Sequence, residues 1–63
     1  MPIVQIHLLE GRTDEQKENL IAEVTQAVSS TINAPASAVH VIISEMNKQD
    51  YGLNGESAKK AGR

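Results

Sequence analysis

A chain of 63 residues that contains no cysteine has to find much of its stability outside itself. The length allows one domain, residues 1–63, and a domain of that size buries only about 60% of the surface its unfolded form exposes. Such a core rarely supplies more than about 3–5 kcal/mol. Disulfides and thiolate zinc sites are unavailable without Cys, and the two histidines, His7 and His40, are too few for a histidine metal site. Association with other subunits is the ordinary route that remains.

Pro2 to Leu9 reads as a strand. Val4, Ile6 and Leu8 share one face, while Ile3, Gln5, His7 and Leu9 share the other, so neither face is purely polar. Glu10-Gly11-Arg12 is a turn. Thr13-Asp14-Glu15-Gln16 matches a capping box, and its two acids sit where a helix dipole favours them. From there Leu20, Ile21, Val24, Ala27, Val28 and Ile32 fall within roughly a 140° arc. Asn33 suits a left-handed helix end, and Pro35 cannot continue the helix. Val39 to Met46 reads as a second strand. Asn47 to Glu56, rich in turn formers around Tyr51 and Leu53, predicts a short hairpin or irregular flap. Residues 57–63 lack a periodic apolar face and are expected to form a loose tail.

Strand, helix, strand predicts a single β-α-β unit of the α/β (α+β) class. The first strand spans about 26 Å at roughly 3.3 Å per residue. The helix spans about 30 Å at roughly 1.5 Å per residue, enough to return the chain to its start. The second strand is then parallel to the first through a right-handed crossover. Parallel strands are normally covered on both faces, yet one helix covers only one. Ile3, Leu9 and Ile42, or the opposite set, would lie open to water unless another chain covers them and extends the sheet.

Composition excludes several function classes. Six basic residues against eight acidic ones give a net charge of −2, the wrong sign for nucleic acid. Tyr51 alone offers no stacking platform for single strands. No apolar run approaches the roughly 18 residues of a membrane span, and no basic region precedes an apolar one at the N-terminus. The expected location is the cytoplasm.

Two features could carry chemistry. Pro2 either starts a strand where the ladder needs no donor or, once Met1 is trimmed, offers a free secondary amine that serves as a base. An apolar pocket or nearby cations would bring its pKa toward neutrality, where a general base works best. With Met1 attached, its nitrogen is a tertiary amide without basicity. Arg12 is either a surface cation or a clamp for a substrate carboxylate. The two lie at opposite ends of the first strand, roughly 30 Å apart along extended chain. They can share a small-molecule site only between subunits. His40 starts the second strand at the Pro2 end and can reach a site there. Tyr51 either walls a pocket or caps the sheet. His7 reads as structural and Glu10 as solvated. Lys17 lies near the middle of the helix's apolar arc, so its stem should lie on the core edge and its ammonium should reach water or an interface carboxylate.

The run Pro2-Ile3-Val4-Gln5-Ile6-His7-Leu8-Leu9-Glu10-Gly11-Arg12-Thr13-Asp14-Glu15-Gln16-Lys17 closely resembles the 4-oxalocrotonate tautomerase family. So do Ala34-Pro35, Val39 through Met46 with its Ile-Ile-Ser-Glu-Met, and Tyr51-Gly52. The likeness covers about the first 55 residues. It implies a protomer that assembles as a hexamer, a trimer of dimers, acting on a small carboxylate or dicarboxylate without metal or organic cofactor. It implies that Pro2 is the general base, shuttling a proton along a conjugated 2-hydroxydienoate to give the 2-oxo-3-enoate. It implies that Arg12 of a neighbouring subunit binds the distal carboxylate, that Leu9 acts through its backbone, and that Tyr51 walls the pocket where the family usually has Phe.

His40 departs from the family, which usually has a second Arg there to polarise the 2-oxo group. An imidazole is neutral over much of the range in which a guanidinium stays charged. The departure leaves two alternatives beside the tautomerase. One is another Pro-dependent activity, such as hydration-type dehalogenation of a haloacrylate, for which Asp50 is the nearest water-activating acid in sequence, or an uncharacterised enol–keto isomerisation. The other is a non-catalytic subunit in a hexamer mixed with a homologous chain.

Overall fold

The computed structural model describes all residues, Met1–Arg63. Strand β1 (Ile3–Leu9) leads into helix α1 (Asp14–Ile32), which returns the chain to strand β2 (His40–Met46); a short hairpin, β3 (Gly52–Leu53) and β4 (Glu56–Ser57), follows. β1 and β2 are parallel in a two-stranded sheet, in register from Ile3 opposite His40 to Leu9 opposite Met46. The expected β-α-β unit and hairpin are therefore present. No helix is long and apolar enough to cross a membrane.

Local chemistry explains the helix boundaries. The Thr13 side chain accepts from the Gln16 amide at 3.1 Å, and the Gln16 side chain accepts from the Thr13 amide at 2.9 Å, closing the capping box. At the other end Asn33 takes φ 58° and ψ 41°, and its amide donates to the Ser29 carbonyl. Pro35 then opens a single 3₁₀ turn, Ala36–Ala38, that delivers the chain to β2.

Alternation sets the layers. Val4, Ile6 and Leu8 of β1 pair with Val41, Ile43 and Glu45 of β2 on the face under the helix. The other face carries Ile3, Gln5, His7 and Leu9 beside His40, Ile42, Ser44 and Met46; no helix covers it, and of these only Leu9, Ser44 and Met46 are half-buried. Ile3 is 52% exposed and Ile42 47%. In the whole chain one residue of 63, Ala58, is fully buried. The molecule measures 43 × 24 × 13 Å with a radius of gyration of 14.7 Å, against about 11 Å for a compact domain of this length. Its accessible surface is 4739 Å², where a compact monomer of this mass would have about 4,000 Å².

Two expectations need correction. The helix stripe is not the full predicted set: Leu20, Ile21, Val24 and Val28 are half-buried, but Ala27 and Ile32 are exposed, while Thr25 and Ser29 turn inward. Ala27 and Ser29 lie on opposite margins of the inward arc, which is rotated from the expected one; for Ile32 the cause is a length mismatch. The 19-residue helix is about 28 Å long and the seven-residue strands are about 23 Å, so the last turn overhangs the sheet. Residues 57–63 are also not a loose tail. Ser57 belongs to β4, the Ala58 amide donates to the Tyr51 carbonyl at 2.7 Å, and the Lys59 amide donates to the Lys48 carbonyl at 3.1 Å. Ser57 Oγ caps the turn that follows by accepting from the Lys60 amide at 3.1 Å. These bonds fold the end back on the segment before the hairpin, with Ala58 beneath it.

Gly11, at φ 123°, occupies backbone space closed to side chains. Gly11→Ala is expected to cost about 1–3 kcal/mol and to lower the melting temperature by several degrees, read by circular dichroism. An unchanged melt would contradict the constrained turn.

Candidate functional site

The residues singled out in the sequence fall at two ends of the protomer. At one end, where β1 and β2 begin, the His40 amide donates to the Pro2 carbonyl at 3.0 Å, so the two residues are direct neighbours. Pro2 is half-buried and the His40 side chain is exposed. The Met1 ammonium donates to the Ala38 carbonyl at 3.0 Å, which holds the N-terminus against the 3₁₀ turn before β2. None of the concavities of the surface includes Pro2 or His40.

At the other end, where the strands finish, an open concavity of about 330 Å³ is lined by His7, Leu8, Leu9, Arg12, Met46 and Tyr51. Three expected residues meet here: Arg12, Tyr51 and Leu9. Arg12 Nη1 donates to the Leu9 carbonyl at 3.3 Å, so the guanidinium lies against the last turn of β1 with most of its donors free. The segment that carries it is held at both sides. The Glu10 amide extends the ladder by donating to the Met46 carbonyl at 2.8 Å, and the capping box fixes Thr13. Tyr51 follows a 3₁₀ turn, Lys48–Asp50, that Asn47 caps by accepting from the Gln49 and Asp50 amides. An apolar wall with one guanidinium at its rim suits a small anion whose body is hydrophobic.

His7 and Met46 line this concavity, and neither was assigned to it from sequence. The signal was available in the parity of β1. His7 shares the open face with Leu9, and Met46 is the register partner of Leu9. Asp50, the acid considered for activating water, accepts from Asn47 Nδ2 at 2.8 Å. It precedes Tyr51 at the Arg12 end, remote from Pro2 of the same chain.

A family model described as "Tautomerase enzyme" matches residues 2–61. A 2-hydroxymuconate tautomerase of Stutzerimonas stutzeri is 60% identical over 63 residues, covering 100% of both chains. A 4-oxalocrotonate tautomerase isozyme from Methylibium petroleiphilum is similar in structure with a TM-score of 0.92 at 47% identity, covering 98% of this chain and 100% of that one. A heterohexamer 4-oxalocrotonate tautomerase from Chloroflexus aurantiacus gives a TM-score of 0.90 at 30% identity, covering 95% of this chain and 97% of that one.

Replacing Arg12 removes the one guanidinium at the concavity. Arg12→Ala is expected to weaken binding of an unreactive dicarboxylate such as fumarate by about 10- to 100-fold, the worth of one charge-assisted contact. Titration calorimetry measures this, and unchanged affinity would contradict the assignment of Arg12 to anion binding.

Proposed function

The chain belongs to the tautomerase family, in its 4-oxalocrotonate branch, and from that premise we propose that it isomerises 2-hydroxymuconate with Pro2 as the proton carrier. The observation that carries this reading is the Arg12 concavity at the far end of β1 from Pro2. The enzyme is an isomerase of tautomerase type, and its substrate is a small dienol acid.

In the proposed reaction Met1 has been trimmed and the Pro2 secondary amine is unprotonated. The amine accepts the proton of the 2-hydroxyl group. The oxygen electron pair forms the carbonyl, the 2,3 double bond moves to the 3,4 position, and the former 4,5 π pair takes the proton back from the prolinium at the carbon beside the distal carboxylate. Atoms and charge balance without a cofactor. Arg12 of a neighbouring subunit grips the distal carboxylate. Tyr51 of a neighbouring subunit supplies an apolar ring that keeps water from the amine, which favours its neutral form. Leu9 contributes its backbone at the pocket edge. His40, adjacent to Pro2, donates a hydrogen bond to the developing 2-oxo group.

Sharing the site requires assembly, and the proposed assembly is a hexamer, a trimer of dimers. The bare sheet face, the exposed Ile3 and Ile42, and the single buried residue all support burial against further copies. The Chloroflexus relative is a heterohexamer, so a homologous second chain is the alternative composition. Haloacrylate hydration is the alternative activity; the acid it would need, Asp50, has one carboxylate oxygen accepting from Asn47 Nδ2.

Pro2→Ala is expected to lower kcat by about 10²- to 10⁴-fold with the circular dichroism spectrum unchanged, in protein whose intact mass shows Met1 removed. Undiminished kcat would contradict the proline mechanism. His40→Arg is expected to raise kcat/KM for 2-hydroxymuconate by about tenfold or more, because a permanent cation stabilises the dienolate better than an imidazole. An unchanged value would assign that role to another group.

A further inference from the structure

Lys17 is the anomaly of the helix's inward stripe. It stands one turn beyond the cap, with its side chain 24% exposed, among positions otherwise taken by Leu20, Ile21 and Val24. Its Nζ lies 3.0 Å from Glu45 Oε1 and 3.6 Å from Asp14 Oδ1. Glu45 is itself unusual. It occupies the helix-facing parity of β2, opposite Leu8 and next to Met46. This is the one side-chain hydrogen bond between α1 and the sheet. The carboxylate that Lys17 reaches is therefore in its own chain, not across an interface.

Stability does not account for the pair. A partly solvated ion pair contributes little, and apolar residues of similar volume commonly do as well or better. A charge-assisted hydrogen bond fixes something that apolar packing leaves loose: the rotation and axial position of the helix's first turn over the strand ends. That relation matters for one functional residue. Arg12 lies on the bridge between β1 and α1, whose ends are pinned at Glu10 to Met46 and at the Thr13 cap. Its place over the concavity is set by how α1 sits on β1 and β2. Leu8 and Met46, which flank Glu45 in space and in sequence, line the same concavity.

We propose that Lys17 and Glu45 are positioning residues for Arg12, their ion pair aiming the guanidinium at the distal carboxylate of the substrate. Lys17 holds its proton more tightly than the ordinary 10.5, first because of the hydrogen bond to Glu45, so the ammonium is charged throughout the neutral range. The proposal rests on the assignment of Arg12 above. It deepens that assignment by giving selectivity for diacids a structural source, since small misplacements of a binding group have large kinetic effects.

The test measures KM and kcat for 2-hydroxymuconate and for phenylenolpyruvate, which has no distal carboxylate. Lys17→Met keeps the stem and removes the charge; Glu45→Gln is the second variant should the first fail to assemble. Either should raise KM for 2-hydroxymuconate about tenfold with kcat changed less than about twofold, and leave both constants for phenylenolpyruvate unaltered. Lys17→Arg, which still reaches Glu45, should restore most of the KM. An unchanged KM for the diacid, or an equal rise for both substrates, would overturn the proposal. Arg12→Ala is the control. If it raises KM for the diacid while Lys17→Met does not, positioning fails and the carboxylate role of Arg12 stands. If Arg12→Ala has no effect on KM, the underlying assignment fails and the proposal with it.

Discussion

One helix laid over two parallel strands covers one face of a sheet, and the rest of the structure follows from that shortage of cover. Alternation along β1 and β2 sends Val4, Ile6, Val41 and Ile43 under the helix and leaves Ile3 and Ile42 in the open. The slab is 13 Å thin, and only Ala58 escapes solvent fully. A fold this bare has little to hold it as a lone chain. The proposed assembly gives the uncovered face a purpose, because the side chains on it include both register neighbours of the functional ends: His40 opposite Ile3, and Met46 opposite Leu9.

The second consequence is spatial. Strand β1 holds Pro2 and Arg12 apart by its own length, about 20 Å from its first residue to its last. No side chain bridges that gap. In the proposed roles, a base at one end and a carboxylate clamp at the other meet around one small acid only when two chains contribute. On that proposal the concavity at the Arg12 end is half a site, with an apolar wall and one guanidinium but without Pro2. In the proposed assembly, stability and catalysis draw on the same contacts.

Much of this was legible because it is local. The capping box at Thr13 and Gln16, the left-handed Asn33 and the hairpin around Asn54-Gly55 are decided by neighbours within a few residues, and each is present. The alternation of β1 gave the bare face its members. The misses come from relations that alternation and periodicity do not encode. Residues 57–63 are ordered by backbone bonds to Tyr51 and Lys48, which no apolar pattern announces. Ile32 belongs to a helical stripe that outruns a shorter sheet, and Ala27 lies at the margin of that stripe. His7 was read singly; only the register that sets it near Leu9 and Met46 brings it to the concavity. The ammonium of Lys17 was expected to leave the core edge, but its partner in β2 required the three-dimensional pairing.

The central claim is that each site is built from Pro2 of one subunit and Arg12 of another. The most direct measurement mixes two variants impaired at substrate concentrations below KM, Pro2→Ala and Arg12→Ala, in equal amounts, dissociates them, allows reassembly and reads turnover at such a concentration. Random association of the two chains rebuilds about a quarter of the sites with both residues intact. The account predicts recovery of about a quarter of wild-type turnover of 2-hydroxymuconate. Activity no greater than the average of the two variants alone would contradict it.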